Sequence, residues 1–416
     1  MKEQIYNWID TALPLAIELE TELTKYPAVS PESGGEGELD KCVFLETWLR
    51  AQGITQLERY DAPDECAKGG IRPNLVATLS GSDRLNNCLW IISHLDVVPP
   101  GEASLWKTDP WIAVEANDGP LGHRLIGRGT EDNQQGLVSS VLAVLALIKS
   151  GYQPQKTIKL LFASDEETGS AFGIGWLLEH SDLFHKGDVA LIPDGGDKKG
   201  ESIEIAEKNL LWIRFVTKGA QTHGSTPDQG INAHLAGADL AVQLHYRLSK
   251  KFGDHDDLFE PDYSTFEPTK KEANVPNINT IPGEDVFCMD MRILPRYSVQ
   301  AVLAEVDRII ADIAAQYKVT IEYSIVQSSE SPPTSPDAAL ILSLSAAVAE
   351  VYGVSSRLIG IGGGTVAAYL RRAGIDCAVW SKVDESLHQP NEYVLLDNIL
   401  GDAKVMAQLI MGTSKN

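Results

Sequence analysis

The sequence is short of cysteine, of positive charge and of long apolar runs. Its five cysteines (Cys42, Cys66, Cys88, Cys288 and Cys377) are odd in number, widely spaced and without a CxxC pair. That spacing excludes a cysteine zinc site and fits small buried thiols kept reduced in a cytoplasmic protein. The most apolar stretch, residues 137–148, is interrupted by Ser139 and Ser140. It is shorter than the roughly 20 residues a bilayer span needs, so no membrane segment is expected. The opening residues include Glu3 and Asp10 and no apolar core, and a secretory signal is not expected there. Lys and Arg number 35 against 58 Asp and Glu, giving a formal net charge of −23. An acidic balance of that size argues against electrostatic binding to nucleic acid or to an anionic membrane. It also leaves carboxylates available to bind metal.

What is present is ordinary globular material. The chain has 416 residues, 43% of them hydrophobic, with a mean hydropathy of −0.11. Its length suits two or three domains. Residues 88–93 (CLWIIS) and 157–163 (TIKLLFA) are continuous apolar runs, the pattern of strands buried on both faces. Between them, 135–149 reads as a buried helix, and 188–192 as another short strand. This rhythm predicts an α/β fold with a mainly parallel sheet. From about residue 210 the pattern changes. Segments 211–218, 285–292 and 319–326 alternate apolar and polar residues, as antiparallel strands with one wet face do, and 299–317 reads as an amphipathic helix. A Ser- and Pro-rich connector over 327–337 follows. Helices over 338–351 and 394–411 and a strand over 377–380 then return to the first style. The expected organisation is a catalytic α/β domain (1–209 and 328–416) interrupted by a smaller α+β domain (210–327) of antiparallel sheet plus helices.

Candidate ligands cluster where the predicted strands end. His94 and Asp96, in SHLDVVPP, share a face of extended chain, so Asp96 can accept a hydrogen bond from the His94 ring and orient it for metal. Asp132, in GRGTEDNQQG, precedes the buried helix, where an Asp also serves as a cap. Glu166 and Glu167 lie in ASDEETGS after strand 157–163, and Asp194 lies in IPDGG after strand 188–192. His388, in SLHQPNEYV, follows the strand at 377–380. Ligands of open α/β sheets bind beyond the carboxyl ends of the strands. Two histidines with several carboxylates are the donor set of zinc, or a related divalent metal, in a catalytic site with open positions.

The ordered series SHLDVVPP, GRGTED, DEETGS, PDGG, HGSTP, NTIP, DMRILP, GGGT and LHQPNEY resembles the di-zinc aminoacylase/carboxypeptidase family of metallopeptidases. That family includes acetylornithine deacetylase, succinyl-diaminopimelate desuccinylase and bacterial glutamate carboxypeptidase. The resemblance runs from about Arg72 to about Tyr393. It implies two divalent ions, zinc by preference with cobalt or manganese as alternatives. His94 and Asp194 would hold one ion, Glu167 and His388 the other, and Asp132 would bridge them. Glu166 would be the general base that deprotonates a metal-bridging water, and Asp96 would orient His94. His223 would stabilise the oxyanion from the partner subunit of a homodimer formed through the inserted domain. Asn279, Arg292 and the loop Gly363, Gly364 and Thr365 would line the substrate pocket, with Arg292 pairing a substrate carboxylate. Hinges near residues 209–211 and 325–335 are also implied. One departure stands out, since many relatives carry Lys two positions after the bridging Asp and this chain has Gln134.

The function implied is hydrolysis of an amide bond in a small N-acyl amino acid or dipeptide with a free carboxylate. The alternatives are an exopeptidase (carboxypeptidase or dipeptidase) with the same site, and a non-catalytic metal- or nucleotide-binding protein using IGIGGGT. That loop lacks the GxxxxGK[ST] pattern of a phosphate loop. His123, His180, His185, His234, His245 and His255 have no matching partners and are expected to be structural, as are Trp106 and Trp111. Arg292 points to an anionic substrate that an acidic surface would not attract, so recognition is expected to be local.

Overall fold

Continuous and alternating apolar runs sort this chain into two kinds of sheet. A computed structural model describes residues 1–83, 87–118 and 121–412. The chain divides into two units, one of Met1–Ile205, Thr334–Leu358 and Thr365–Asn416, the other of Ala206–Pro333 and Ile359–Gly364.

An eight-stranded sheet runs in the order Leu57–Pro63, Ile71–Leu79, Thr157–Ala163, Cys88–His94, Val189–Asp197, Asp376–Lys382, Ser202–Glu207, Arg357–Ile361, its first six strands lying wholly in the first unit. Its four central strands, from Thr157–Ala163 to Asp376–Lys382, are mutually parallel. Antiparallel strands flank them. Every residue of Cys88–His94 is buried, which explains its unbroken apolar run. Helix Gly136–Lys149 covers the sheet with all residues from Gly136 to Leu147 buried. Each such leucine or valine contributes about 1.5–3 kcal/mol by leaving water. The helix enters close against strand Val189–Asp197, where a Cβ on Gly136 would lie 2.3 Å from the Pro193 carbonyl oxygen. Helix Leu396–Gly412 packs against it, with Ser139 Oγ donating to the Ile399 carbonyl at 3.0 Å.

The second unit has a four-stranded antiparallel sheet, in the order Thr265–Lys271, Glu284–Ile293, Asn209–Lys218, Thr320–Ser329. Burial alternates along Asn209–Lys218. Leu211, Ile213 and Phe215 share a core with Leu240 and Leu244 of helix Ala233–Lys251 and Val306 of helix Val299–Tyr317. Asn232 and Ser298 cap these helices by accepting the N–H groups of Leu235 and Ala301. The strand expected over 319–326 continues to Ser329, into the predicted connector, because Gln327 pairs with Trp212 beyond an irregularity after Ile325. Among the described residues no helix is long and apolar enough to cross a membrane.

Candidate metal centre

The acidic and histidine side chains begin where the parallel strands leave the sheet. His94 ends Cys88–His94, Asp194 lies in Val189–Asp197, and Glu166 and Glu167 occupy the turn after Thr157–Ala163. Asp132 lies in the segment leading into Gly136–Lys149, and His388 follows Asp376–Lys382.

These residues converge. Asp132 Oδ1 lies 3.0 Å from His94 Nε2, and Asp132 Oδ2 lies 3.0 Å from His388 Nε2. His94 Nε2 is also 3.6 Å from Asp194 Oδ1, and His388 Nε2 is 3.1 Å from Glu167 Oε2. Two ligand sets result, His94–Asp132–Asp194 and Asp132–Glu167–His388, each with donor atoms within 4.8 Å of one another. Asp132 is common to both.

The charges fit cations that bind there. Burial works against an imidazolium at His94, but the Asp194 charge and hydrogen bonds to Asp132 and Asp194 outweigh it and raise its pKa well above the ordinary value. Hydrogen bonds to Asp132 and Glu167 push His388 up to about 10 against the opposing effect of burial. Burial and the neighbouring Asp194 charge raise Glu166 well above the usual carboxylate range. Burial lifts Asp194 to about 6, with His94 opposing. Crowded, buried carboxylates of this kind favour a divalent ion that offsets their mutual repulsion. Glu167 Oε1 is buried without a hydrogen-bond partner, an orphan acceptor that a metal would satisfy. Two imidazoles and three carboxylates are a donor set for zinc, cobalt or manganese.

The Asp96 carboxylate does something other than contact His94 closely. His94 Nδ1 pairs at 2.9 Å with the backbone oxygen of Asp96, and the carboxylate stands 3.5 Å away. Its oxygens accept the backbone N–H groups of Glu166 and Glu167, each at 3.0 Å.

Several supporting residues were missed by sequence reasoning. Asn133 accepts the His94 N–H at 3.3 Å and donates to Asp194 Oδ1 at 2.9 Å. Buried Glu392 accepts the N–H groups of Gly129, Glu131 and Asp132, and buried Glu131 accepts those of Asp384 and Ser386. Arg72, inside strand Ile71–Leu79, binds Glu38 through two hydrogen bonds and lies 3.4 Å from Asp165, next to Glu166. A charged residue within a buried strand must find a partner, and that was the available signal. Gln134, at the departure from the common pattern, is buried, and its amide faces Thr24 and Glu20.

The other sequence-predicted residues belong mostly to the second unit. In the second unit the ribbon Thr222–His223 and Thr280–Ile281 sets His223 opposite Thr280, and the Gly224 N–H donates to the Asn279 carbonyl at 2.7 Å. His223 is exposed, and the Ser225 N–H donates to its Nδ1 at 3.2 Å. Arg292 binds Asp290 and the Gly362 carbonyl. Gly363 and Gly364 are exposed, and Thr365 Oγ1 accepts the Ala367 N–H. Of the histidines expected to be structural, His123 pairs with Glu115, His234 with Asp285 and His255 with Asp262.

The model of peptidase family M20/M25/M40 matches residues 90–412. The chain belongs to this family. An uncharacterised metallohydrolase of Methanocaldococcus jannaschii is 38% identical over 414 residues, covering 95% of this chain and 98% of the relative. Succinyl-diaminopimelate desuccinylase of Wolinella succinogenes is 27% identical over 405 residues, covering 95% and 99%. The crystal structure of aminopeptidase PepT from Bacillus cereus has the same fold, with a TM-score of 0.77 at 17% identity over 97% and 99% of the two chains. As an M20 family member the protein is a hydrolase of amide or peptide bonds, and the family implies divalent metal.

Proposed function

We propose that this M20 hydrolase is a two-metal amidohydrolase that cleaves the amide bond of a small N-acyl amino acid or dipeptide bearing a free carboxylate. The observation that carries the reading is Asp132, whose two oxygens are shared between two histidines in two ligand sets. His94 and Asp194 would hold one ion and Glu167 and His388 the other, with Asp132 between them. Bound there, two divalent ions, zinc by preference, would lower the pKa of a water and polarise a carbonyl oxygen. The chain's own groups do the rest. Glu166, outside both ligand sets, takes the proton from the attacking water on its carboxylate and returns it to the leaving amine nitrogen. Asp96 fixes the backbone that carries Glu166 and Glu167.

Substrate contacts are proposed for the second group of residues. Ser225 engages His223 Nδ1, with its N–H at 3.2 Å and its Oγ at 2.7 Å, which leaves Nε2 as the nitrogen to meet an oxyanion. Asn279 lies beside it. Arg292 would take the substrate carboxylate, and the backbone donors of Gly363, Gly364 and Thr365 would complete the contacts. A homodimer through the second unit is supported by exposed Leu235, Val242 and Tyr246 on helix Ala233–Lys251. It is also supported by the edge strand Thr320–Ser329, where Ile325 and Val326 are exposed.

A panel of acetyl-, succinyl- and aminoacyl-amino acids, assayed with zinc, cobalt or manganese, tests the reading. Hydrolysis of acyl-amino acids in preference to dipeptides would identify a deacylase, and the reverse an exopeptidase. Failure of the metal-loaded chain to hydrolyse any amide in the panel would overturn the substrate class.

A further inference from the structure

His388 is the least supported of the ligands. Its side chain is 49% exposed and its backbone is left-handed, with φ of 60°. With about half of the side chain in water, its place depends largely on the hydrogen bonds of the loop around it. That loop is tied to Glu131. The Asp384 N–H donates to Glu131 Oε1 and the Ser386 N–H to Oε2, each at 2.5 Å, and the Ser386 hydroxyl is shared between Oε2 at 2.9 Å and the Tyr393 carbonyl at 2.8 Å. The return tie runs through Glu392, which accepts Arg128 Nη1 at 2.5 Å and the N–H groups of Gly129, Glu131 and Asp132, each at 3.0 Å. Arg128 Nη2 also donates to the His388 carbonyl at 3.4 Å. Each loop thus supplies a buried carboxylate that satisfies the other's backbone donors.

The other ligand set shares Asp132, whose N–H is held by Glu392, but its two remaining ligands are held outside this exchange. His94 ends a buried strand, its ring is held by the Asp96 carbonyl, and Asn133 ties its N–H to Asp194. None of these bonds passes through Glu131.

We propose that Glu131 is a positioning residue for one metal position alone. By fixing the 384–386 backbone ahead of His388, it sets the affinity of the Asp132–Glu167–His388 position and leaves the His94–Asp132–Asp194 position unaffected. The inference rests on the two-metal reading above. A glutamine at 131 keeps the volume, but it brings an NH₂ group against backbone donors and loses at least one of the three bonds. Loss of an outer hydrogen bond to a metal ligand lowers metal affinity about 10–100-fold.

The test is zinc bound per chain, measured on the full-length protein across a chelator-buffered zinc series, with thermal unfolding recorded in parallel. The wild type is expected to bind two ions. Glu131→Gln should keep one at wild-type affinity and bind the second about 10–100-fold more weakly. Ser386→Ala, which removes the shared hydroxyl but keeps both backbone donors to Glu131, should weaken the same ion by less. It decides the matter by the same criterion if Glu131→Gln does not fold. Asp188→Asn is the control for simple destabilisation. That buried carboxylate accepts the Cys88 and His185 N–H groups and Trp90 Nε1, and its loss should lower the unfolding temperature while both ions bind normally. Two ions bound at wild-type affinity by Glu131→Gln, or both weakened together, would overturn the inference. A wild type that binds a single ion overturns the two-metal reading itself, and the inference with it.

Discussion

Arg292 is clamped by Asp290, two residues earlier on strand Glu284–Ile293, through Nε at 2.7 Å and Nη2 at 3.0 Å. A third donor, Nη1, reaches the Gly362 carbonyl at 2.7 Å. A guanidinium has five N–H groups, so two remain for a ligand on a fork already fixed in direction. Lysine cannot reproduce that planar arrangement. Arg292→Lys should raise KM for carboxylate-bearing substrates about 10–100-fold, the worth of one or two charge-assisted hydrogen bonds, with a smaller change in kcat. The measurement compares an acyl-amino acid with its carboxamide. If the substitution leaves the preference between them unchanged, Arg292 does not read the carboxylate.

Asp96 leads to a separate expectation. Its carboxylate is committed to the backbone of Glu166 and Glu167. In Asp96→Asn, the amide nitrogen would face one of these N–H donors. We expect kcat to fall about 10–100-fold, equivalent to roughly 1.5–3 kcal/mol, with KM little altered. The His94 ring keeps its bond to the carbonyl of residue 96, so both metals should remain. Metal loss with an unaltered kcat per bound metal would instead support a role in orienting His94.

Glu166→Gln should retain both metals and lose about 10²–10⁴-fold in turnover, the usual contribution of a general base. Glu166 belongs to neither ligand set, so its loss separates proton transfer from metal binding. Turnover and metal content measured on the same sample decide it, and normal turnover would remove Glu166 from the mechanism.

Much of this centre was legible because ligands must sit where strands end, and strand ends show in the sequence as apolar runs giving way to acids. CLWIIS before His94 and TIKLLFA before Glu166 and Glu167 both read that way and form the strands Cys88–His94 and Thr157–Ala163. The antiparallel flanks of the large sheet were not legible. Ile71–Leu79 carries Arg72, Pro73 and Asn74 in its first half, and strand direction depends on connections that apolar patterning does not encode. The supporting carboxylates were hidden for another reason. Glu131 and Glu392 act through backbone N–H groups more than 250 residues away in the chain, and backbone donors leave no trace in residue type. Asp96 stands 3.5 Å from His94, a closeness that a separation of two residues makes legible, while its bonds to the N–H groups at 166 and 167 exist only because the fold brings them near.

Removal of metal should destabilise the chain. Without ions the carboxylates of Asp132, Glu166, Glu167 and Asp194 are crowded around two histidines. Ligand binding to the native state alone stabilises it by about 4 kcal/mol at a free concentration 1,000 times Kd. Unfolding temperature measured with zinc and then with excess chelator should fall by several degrees and recover when zinc is restored. An unchanged unfolding temperature would mean that the ligand sets bind no metal tightly.

Lys41 gives a pH signature of its own. It is buried, and its Nζ donates to the Leu95 carbonyl at 3.0 Å. Burial lowers its pKa to about 8 despite the opposing charges of Asp96, Glu20, Glu392 and Glu38. Unfolded, a lysine titrates near 10.4. Between these values the unfolded chain binds more protons than the folded one, so this group makes stability rise with pH across that window and has no pH effect below it. The rise is on the order of 3 kcal/mol at 1.36 kcal/mol per unit. Lys41→Met lacks it. Denaturant unfolding of both proteins should therefore show the wild type gaining on the variant between about pH 8 and 10.4, while the difference between them stays constant from pH 6.5 to 7.5. Parallel stability curves across the alkaline window would show that Lys41 titrates in the folded protein as it does in the unfolded chain.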